Sequence, residues 1–190
     1  MGSESIKIKL IDTAISELIN GRWEQLTIKV LSTKTKIKVS QINKISSSKE
    51  GLLDLWSQNI NFKILEKVTL QELEEVTIKE RILELMLCRL DVLNEHKKEI
   101  LALMKLARRS GIESIRAFER IKKSMEYILN LSGAKMAGKM GGLKIIVLSL
   151  IWVITFKEWR DSEEDDDSSV MSKLDKRLSI AEKLNNSLFV

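Results

Sequence analysis

The sequence predicts an all-α protein, with a three-helix unit at the N-terminus followed by a larger helical domain. Three observations predict it. The 190 residues include no proline, where ordinary usage of about 5% would supply roughly nine, and proline is the residue that helix interiors exclude. Apolar residues recur at three- and four-residue spacing, the period of one helix face, and no useful stretch alternates with the period of a strand. Glycine and serine punctuate the chain where the helical patterns end.

The first helix is expected from about Ser5 to Asn20, with Ile8, Ile11, Ile15, Leu18 and Ile19 at helical spacing and Gly21 as its stop. Thr27 caps a short helix carrying Ile28, Val30 and Leu31, and Lys34 to Lys38 makes a turn. Val39 to Ile45 makes a third helix with Val39, Ile42 and Ile45 inward. Three short helices joined by tight turns are the tri-helical form of helix-turn-helix. Ser47 or Ser48 then caps a longer helix through Leu65, with Glu50 in the first turn where the helix dipole favours a carboxylate. Leu52, Leu53, Leu55, Trp56, Ile60 and Leu65 form its apolar side.

One helix is expected from about Leu70 to Val92, with Leu73, Val76, Ile82, Leu85, Met86, Cys88 and Leu93 inward. Glu95 to Arg108 follows, ended by Ser110-Gly111, and Ile112 to Leu131 closes at Ser132-Gly133. Gly133, Gly138, Gly141 and Gly142 lead into an apolar helix ending at Trp159. These glycines follow no strand, so they read as a helix start or close packing rather than a phosphate cradle. Asp161 to Asp167 is an acidic linker, and a last amphipathic helix carries Val170, Leu174, Leu178, Ala181 and Leu184. The apolar run Ile145 to Phe156 is twelve residues, broken by Ser149 and Thr155. A membrane span needs about 20, so the run reads as a core or dimer helix.

Charge is unevenly placed. Met1 to Lys49 holds nine basic and four acidic residues, while the rest of the chain holds 23 of each. The whole net charge of +5 therefore lies in the first quarter, the pattern of a unit that meets a polyanion. The single cysteine, Cys88, makes an internal disulfide and a multi-cysteine metal site impossible. His96 is the only histidine, so it reads as a surface or helix-start residue and no metal site is expected. Glu74-Glu75 and Glu163-Glu164 are sequence neighbours on charged stretches, not the convergent carboxylates of acid-base catalysis. No nucleophile-elbow, P-loop or dinucleotide fingerprint occurs. No cofactor and no enzymatic activity are expected. The polar N-terminus lacks the apolar core of a signal peptide, and a reducing cytoplasm is the expected setting.

The stretch KTKIKVSQINKISSSKEGLLDLW resembles the TetR regulator family, in which a turn and recognition helix precede a Ser-Lys-Glu run and two leucines. Ser48, Lys49, Glu50, Leu52 and Leu53 match, and Lys29 with Ile28 and Val30 stands at the start of the second helix. That family usually has a Gly-Val-Ser turn and aromatic residues late in the recognition helix. This chain has Lys36, Ile37 and Lys38 in the turn, with Asn43 and Ser46 near the aromatic positions.

A second resemblance covers much of the chain after Glu50. ERILELMLCRLDVLNEHKKEILALM is similar to a segment of the coenzyme Q protein nine family, with Arg81, Arg89, Leu90, Leu93, His96 and Lys97 at matching places. Trp159, Asp161, Met171, Leu174, Asp175, Arg177 and Leu178 match near the end. Members of that family are TetR-like proteins that bind lipid and assist ubiquinone biosynthesis.

Together the resemblances imply a TetR-like homodimer with a helix-turn-helix unit at 1–49 and a ligand-binding and dimerisation domain at 50–190. The second implies a non-catalytic accessory that holds an isoprenoid or phospholipid for a quinone hydroxylase, in the cytoplasm or peripheral to the inner membrane. Met86, Leu90, Leu101, Met104, Phe118, Met125, Leu129, Met136 and Met140 are the candidate lipid-lining residues, since methionine adapts its shape and aliphatics have no polar atoms to desolvate. The first implies a ligand-responsive transcription regulator as the alternative. Lys29, Lys34, Lys36, Lys38, Gln41, Lys44 and Lys49 would then meet DNA, with Lys38, Gln41 and Lys44 projecting from the recognition helix, Gln41 able to pair with adenine, and Lys29, Lys34, Lys36 and Lys49 meeting phosphates. Ile145, Ile146, Leu150, Trp152, Leu174 and Leu178 are the candidate dimer interface.

Overall fold

The computed structural model describes residues 2–161 and 167–184, and the described chain is helical throughout, with no strand among those residues. The helices are α1 (Ser3–Ile19), α2 (Ile28–Thr35), α3 (Val39–Ile45), α4 (Lys49–Lys67), α5 (Leu70–Glu74), α6 (Ile78–Asn94), α7 (Lys97–Ala107), α8 (Gly111–Leu131), α9 (Gly138–Asp161) and α10 (Asp167–Leu184). Most of the expected acidic linker, and the Leu184 side chain, lie outside the described residues.

Two compact units emerge: Met1–Asn59 with His96–Ser114, and Ile60–Glu95 with Ile115–Val190. The first is built on α1. Leu10, Ile11, Ala14, Ile15 and Leu18 form its buried face, against Trp23, Leu26, Leu31, Ile37, Ile42, Leu52, Leu53 and Leu106. Each leucine or isoleucine removed from water here contributes about 1.5–3 kcal/mol before entropy is counted. This core fixes α2 and α3 on the N-terminal helix. Thr27 caps α2 as expected, its hydroxyl accepting from the Val30 N–H at 3.2 Å, and Ser48 caps α4 by accepting from the Gly51 N–H at 3.1 Å.

In the second unit, α10 packs against α6 and α9. Leu174 and Leu178 face in, with Ile82, Leu85, Met86, Leu148, Ile151 and Trp152 among the other buried residues. Lys79 Nζ of α6 reaches Asp175 Oδ1 at 3.1 Å and Ser179 Oγ at 3.2 Å, and Arg177 of α10 donates to Glu158 of α9 at 2.5 Å.

The structure corrects the single helix expected from Leu70 to Val92, which is broken between α5 and α6. Thr77 and Glu80 form a reciprocal cap: the Thr77 hydroxyl accepts from the Glu80 N–H at 3.3 Å, and Glu80 Oε2 accepts from the Thr77 N–H at 2.8 Å. That box starts a new helix. Arg81 holds the intervening turn, donating to the Glu74 and Val76 carbonyls at 3.0 Å each. Val76 thus lies in the turn and is exposed, as are Val39 and Leu65, all three expected inward. The glycine-spaced region is a helix start. At Gly141 a Cβ would lie 2.2 Å from the Met136 carbonyl oxygen, so only glycine permits α9 to begin there.

Candidate functional site

The helix-turn-helix geometry rests on an unusual turn. Lys36 ends α2 with φ 59° and ψ 30°, the left-handed region where a side chain costs roughly 1 kcal/mol and glycine costs nothing. Two contacts around it hold the conformation. Ile37 is buried in the core, and Ser32 Oγ donates to the Ile37 carbonyl at 2.6 Å. Gln41, three residues into the next helix, turns its Oε1 back to accept from the Lys38 N–H at 3.4 Å.

Charges in this unit are sorted. Glu17 is buried on α1 and accepts from Arg22 Nε and Nη2 at 3.0 and 2.9 Å and pairs with Lys34 Nζ at 3.2 Å. The Arg22 hydrogen bonds, opposed by burial and helped by Lys34, hold the Glu17 carboxyl at about 2. Glu4 pairs with Lys7 at 3.4 Å and Glu24 with Arg109 at 2.9 Å. Glu4 and Glu24 are thus matched by cations outside the turn and α3, while Lys34, read in the sequence as a phosphate contact, is taken up by Glu17. Lys29, Lys36, Lys38 and Lys44 are all exposed, and none enters an ion pair with a described residue.

Lys49 behaves differently from the other predicted DNA contacts. It is half-buried, its Nζ donates to the Trp23 carbonyl at 2.7 Å, and it lies 5.0 Å from the centre of the Trp23 ring. Trp23 and Glu17, which sequence reasoning did not single out, organise this unit. The available signal was one tryptophan between two helical patterns.

The first unit also holds a cleft of about 290 Å³, lined by Asp12, Ile15, Ser16, Ile19, Asn20, Trp56, His96 and Glu99. None of the predicted lipid residues lines it. His96 is at the start of α7, 3.6 Å from Glu99 Oε1 and edge-on to Trp56 at 5.9 Å.

The predicted lipid-lining residues divide. Leu101, 55% exposed, and Met104 on α7 belong to the first unit. Met86, Leu90, Met125 and Leu129 are buried in the second, where Phe118, Met136 and Met140 are half-buried. A charged side chain shares that second interior. Arg89 is 6% exposed, donates from Nη1 to Asn61 Oδ1, and stands 5.3 Å from the centre of the Trp152 ring. Its Nε has no hydrogen-bond partner. Burial pushes the guanidinium down to about 10. The sequence carried a trace of this, since Arg89 sits three or four residues from Leu85, Met86 and Leu93, on the apolar face of α6.

Among the predicted interface residues, Ile146 and Leu150 are exposed and Ile145 is half-buried. Trp152, Leu174 and Leu178 are buried inside the unit. The exposed apolar stripe of α9 runs Leu143, Ile146, Leu150, Val153 and Ile154, each between 40% and 51% exposed. The segment Met140–Asp161 is long and apolar enough to cross a membrane, and 39% of its most apolar window is buried. Yet its inner face carries Lys144, Ser149 and Thr155, all buried, with Lys144 Nζ donating to the Lys135 carbonyl at 2.9 Å. Cys88 is buried too, and desolvation, reinforced by Glu84, pushes its thiol up to about 12, leaving it protonated and inert. Among the described residues no three of His, Cys, Asp and Glu gather as a metal site would require.

A solved structure completes the comparison. The crystal structure of the TetR transcriptional regulator from Nitrosomonas europaea ATCC 19718 superposes over 94% of this chain and 98% of its own, with a TM-score of 0.63 and 17% identity. The fold is TetR-like. No family model and no curated protein matches the sequence. In this TetR-like frame α2 and α3 are the helix-turn-helix pair, and the four exposed lysines that enter no ion pair with a described residue lie on them and on their turn.

Proposed function

We propose that the chain is a dimeric, ligand-responsive DNA-binding regulator, with 1–49 as the DNA-binding unit and 50–190 for ligand binding and dimerisation. One observation carries the reading: Lys29, Lys36, Lys38 and Lys44 are exposed on α2, α3 and the turn, while the neighbouring carboxylates Glu4, Glu17 and Glu24 pair with other cations. An uncompensated cationic surface on a helix-turn-helix is what a phosphate backbone requires. Lys44 on α3 and Lys38 at its cap face base edges, Lys29 and Lys36 take phosphates, and Gln41, whose Oε1 caps the helix, has only its amide nitrogen left to offer a base. The α9 stripe at Ile146 and Leu150 meets its copy in a second subunit, with Trp152, Leu174 and Leu178 supporting it from behind. The protein named in the structural comparison is a transcriptional regulator, which agrees with this reading.

The test is binding of a labelled duplex from the gene's own upstream region across a salt series. The expected result is sequence preference at physiological salt, with log affinity falling as log salt rises and a shallower slope for Lys44→Ala. Binding that unlabelled nonspecific DNA removes completely would overturn the proposal.

A second reading keeps the lipid-binding accessory of ubiquinone biosynthesis, without DNA. It is favoured by Lys34, Lys49 and Gln41, three of seven predicted DNA contacts, which are engaged by groups of the unit itself. It expects an isoprenoid or phospholipid in organic extracts of the purified protein, seen by mass spectrometry, and no operator preference.

A further inference from the structure

Arg89 is the one buried arginine of the described core, and its surroundings lack what such a group needs. A buried cation is stable when a carboxylate and several acceptors replace its lost hydration. Here the guanidinium's acceptor is the neutral amide oxygen of Asn61, its flat face lies against Trp152, and its Nε is without a partner. Desolvation accounts for its lowered pKa, and no carboxylate among the described residues pairs with it. Met86 and Leu90 beside it on α6 are apolar and buried. Thr155, one turn beyond Trp152 on α9, is also buried with an unpartnered hydroxyl.

We propose that Arg89 is the head-group receptor for an anionic amphiphile, whose carboxylate or phosphate pairs with the buried, unpartnered Nε side of the guanidinium while its apolar chain lies among the residues of the second unit. The inference rests on the reading of that unit as the ligand-binding domain. The planar fork of arginine matches both acids, and its face is already oriented by the indole. Asn61 is the complementary half: its amide leaves the charge unmatched, where an aspartate at that position would cancel it. Trp152 links the receptor to α9, whose outer face carries the exposed stripe, so occupancy bears directly on the dimer helix.

Calorimetric titration of the full chain with dodecanoate, dodecyl phosphate and dodecanol tests this. The wild type is expected to bind at least one of the two acids at least about tenfold more tightly than the alcohol, the scale of one charge-assisted pair. The better acid identifies the head group. In Arg89→Met the acid and alcohol affinities converge, and Asn61→Asp, which supplies an internal counter-ion, has the same effect while raising the melting temperature. Two variants keep the test decisive if one does not fold. Equal binding of acid and alcohol by the wild type overturns the role of Arg89 and leaves an apolar ligand domain standing. An acid preference that survives in both variants overturns it as well. Binding of none of the three probes overturns it together with the ligand-responsive part of the proposed function, and operator binding, measured separately, decides the rest.

Discussion

Lys49 and Trp23 are joined twice, by a 2.7 Å hydrogen bond from the ammonium to the backbone carbonyl and by the placement of that ammonium over the indole. A residue that reads as a phosphate contact in the sequence therefore ties the start of α4 to the loop between α1 and α2. Lys49→Ala is expected to destabilise the protein by about 1.5–3 kcal/mol, the range for a hydrogen bond from a charged group, measured by denaturant unfolding. The salt slope of DNA binding should stay as in the wild type. A stable variant with a reduced slope would return Lys49 to the DNA surface.

Glu17 gives the fold a pH dependence of known sign. Its folded-state value of about 2 lies below the ordinary 4.5, so the unfolded chain binds the proton more readily. Stability from this group is complete above pH 4.5 and is lost as pH falls toward 2. Glu17→Gln is expected to cost about 1.5–3 kcal/mol at neutral pH. The difference between the two proteins should shrink across that acid window and stay constant above it, as read from urea midpoints at a series of pH values.

Lys36 occupies a position whose backbone favours glycine. Lys36→Gly removes the Cβ strain but gives the unfolded chain more freedom, and the first effect is expected to win by about 0.5 kcal/mol. The melting temperature should rise by roughly 1–2 °C. The same variant removes one exposed cation beside α3, so it should bind DNA more weakly while melting higher. Lys36→Val, branched at Cβ, should melt lower than the wild type.

How much of this the chain announces depends on which physical property is asked about. Helical period located α1, α4 and α8 because their buried residues recur at three- to four-residue spacing, whereas α3 and α7, which each bury one residue, were bounded by the turn residues around them. It passed over the break at Val76 because a Thr-x-x-Glu capping box, here Thr77 to Glu80, is a hydrogen-bond signal laid over an uninterrupted apolar pattern. Periodicity also identifies that α9 is apolar on most sides without saying which side turns outward: Leu150 is exposed and Trp152 buried, two residues apart. The cationic surface was legible from the uneven charge, but its sorting into paired and unpaired lysines was not, since Glu17 meets Lys34 and Arg22 only once the helices fold. Arg89 was visible as a matching residue in a resemblance. Its missing counter-ion is a property of the packed interior.

The α9 stripe makes the last prediction. Leu143, Ile146, Leu150, Val153 and Ile154 keep five apolar side chains in water on one face of a single helix. Burying a leucine or isoleucine of this kind against a copy of itself contributes about 1–2 kcal/mol at half exposure, and a two-fold axis counts each residue twice. A charge placed mid-stripe loses its hydration in such an interface without gaining a partner. Leu150→Glu is therefore expected to convert the proposed dimer to a folded monomer, seen as a halved mass by sedimentation velocity with an unchanged helical circular dichroism signal. Because α9 also bears Trp152 against Arg89, the monomer should still bind ligand but with a shifted affinity, since coupling between sites is reciprocal, and should lose cooperative binding to a two-fold symmetric operator. A wild type that sediments as a monomer at micromolar concentration would remove the stripe from the dimer reading.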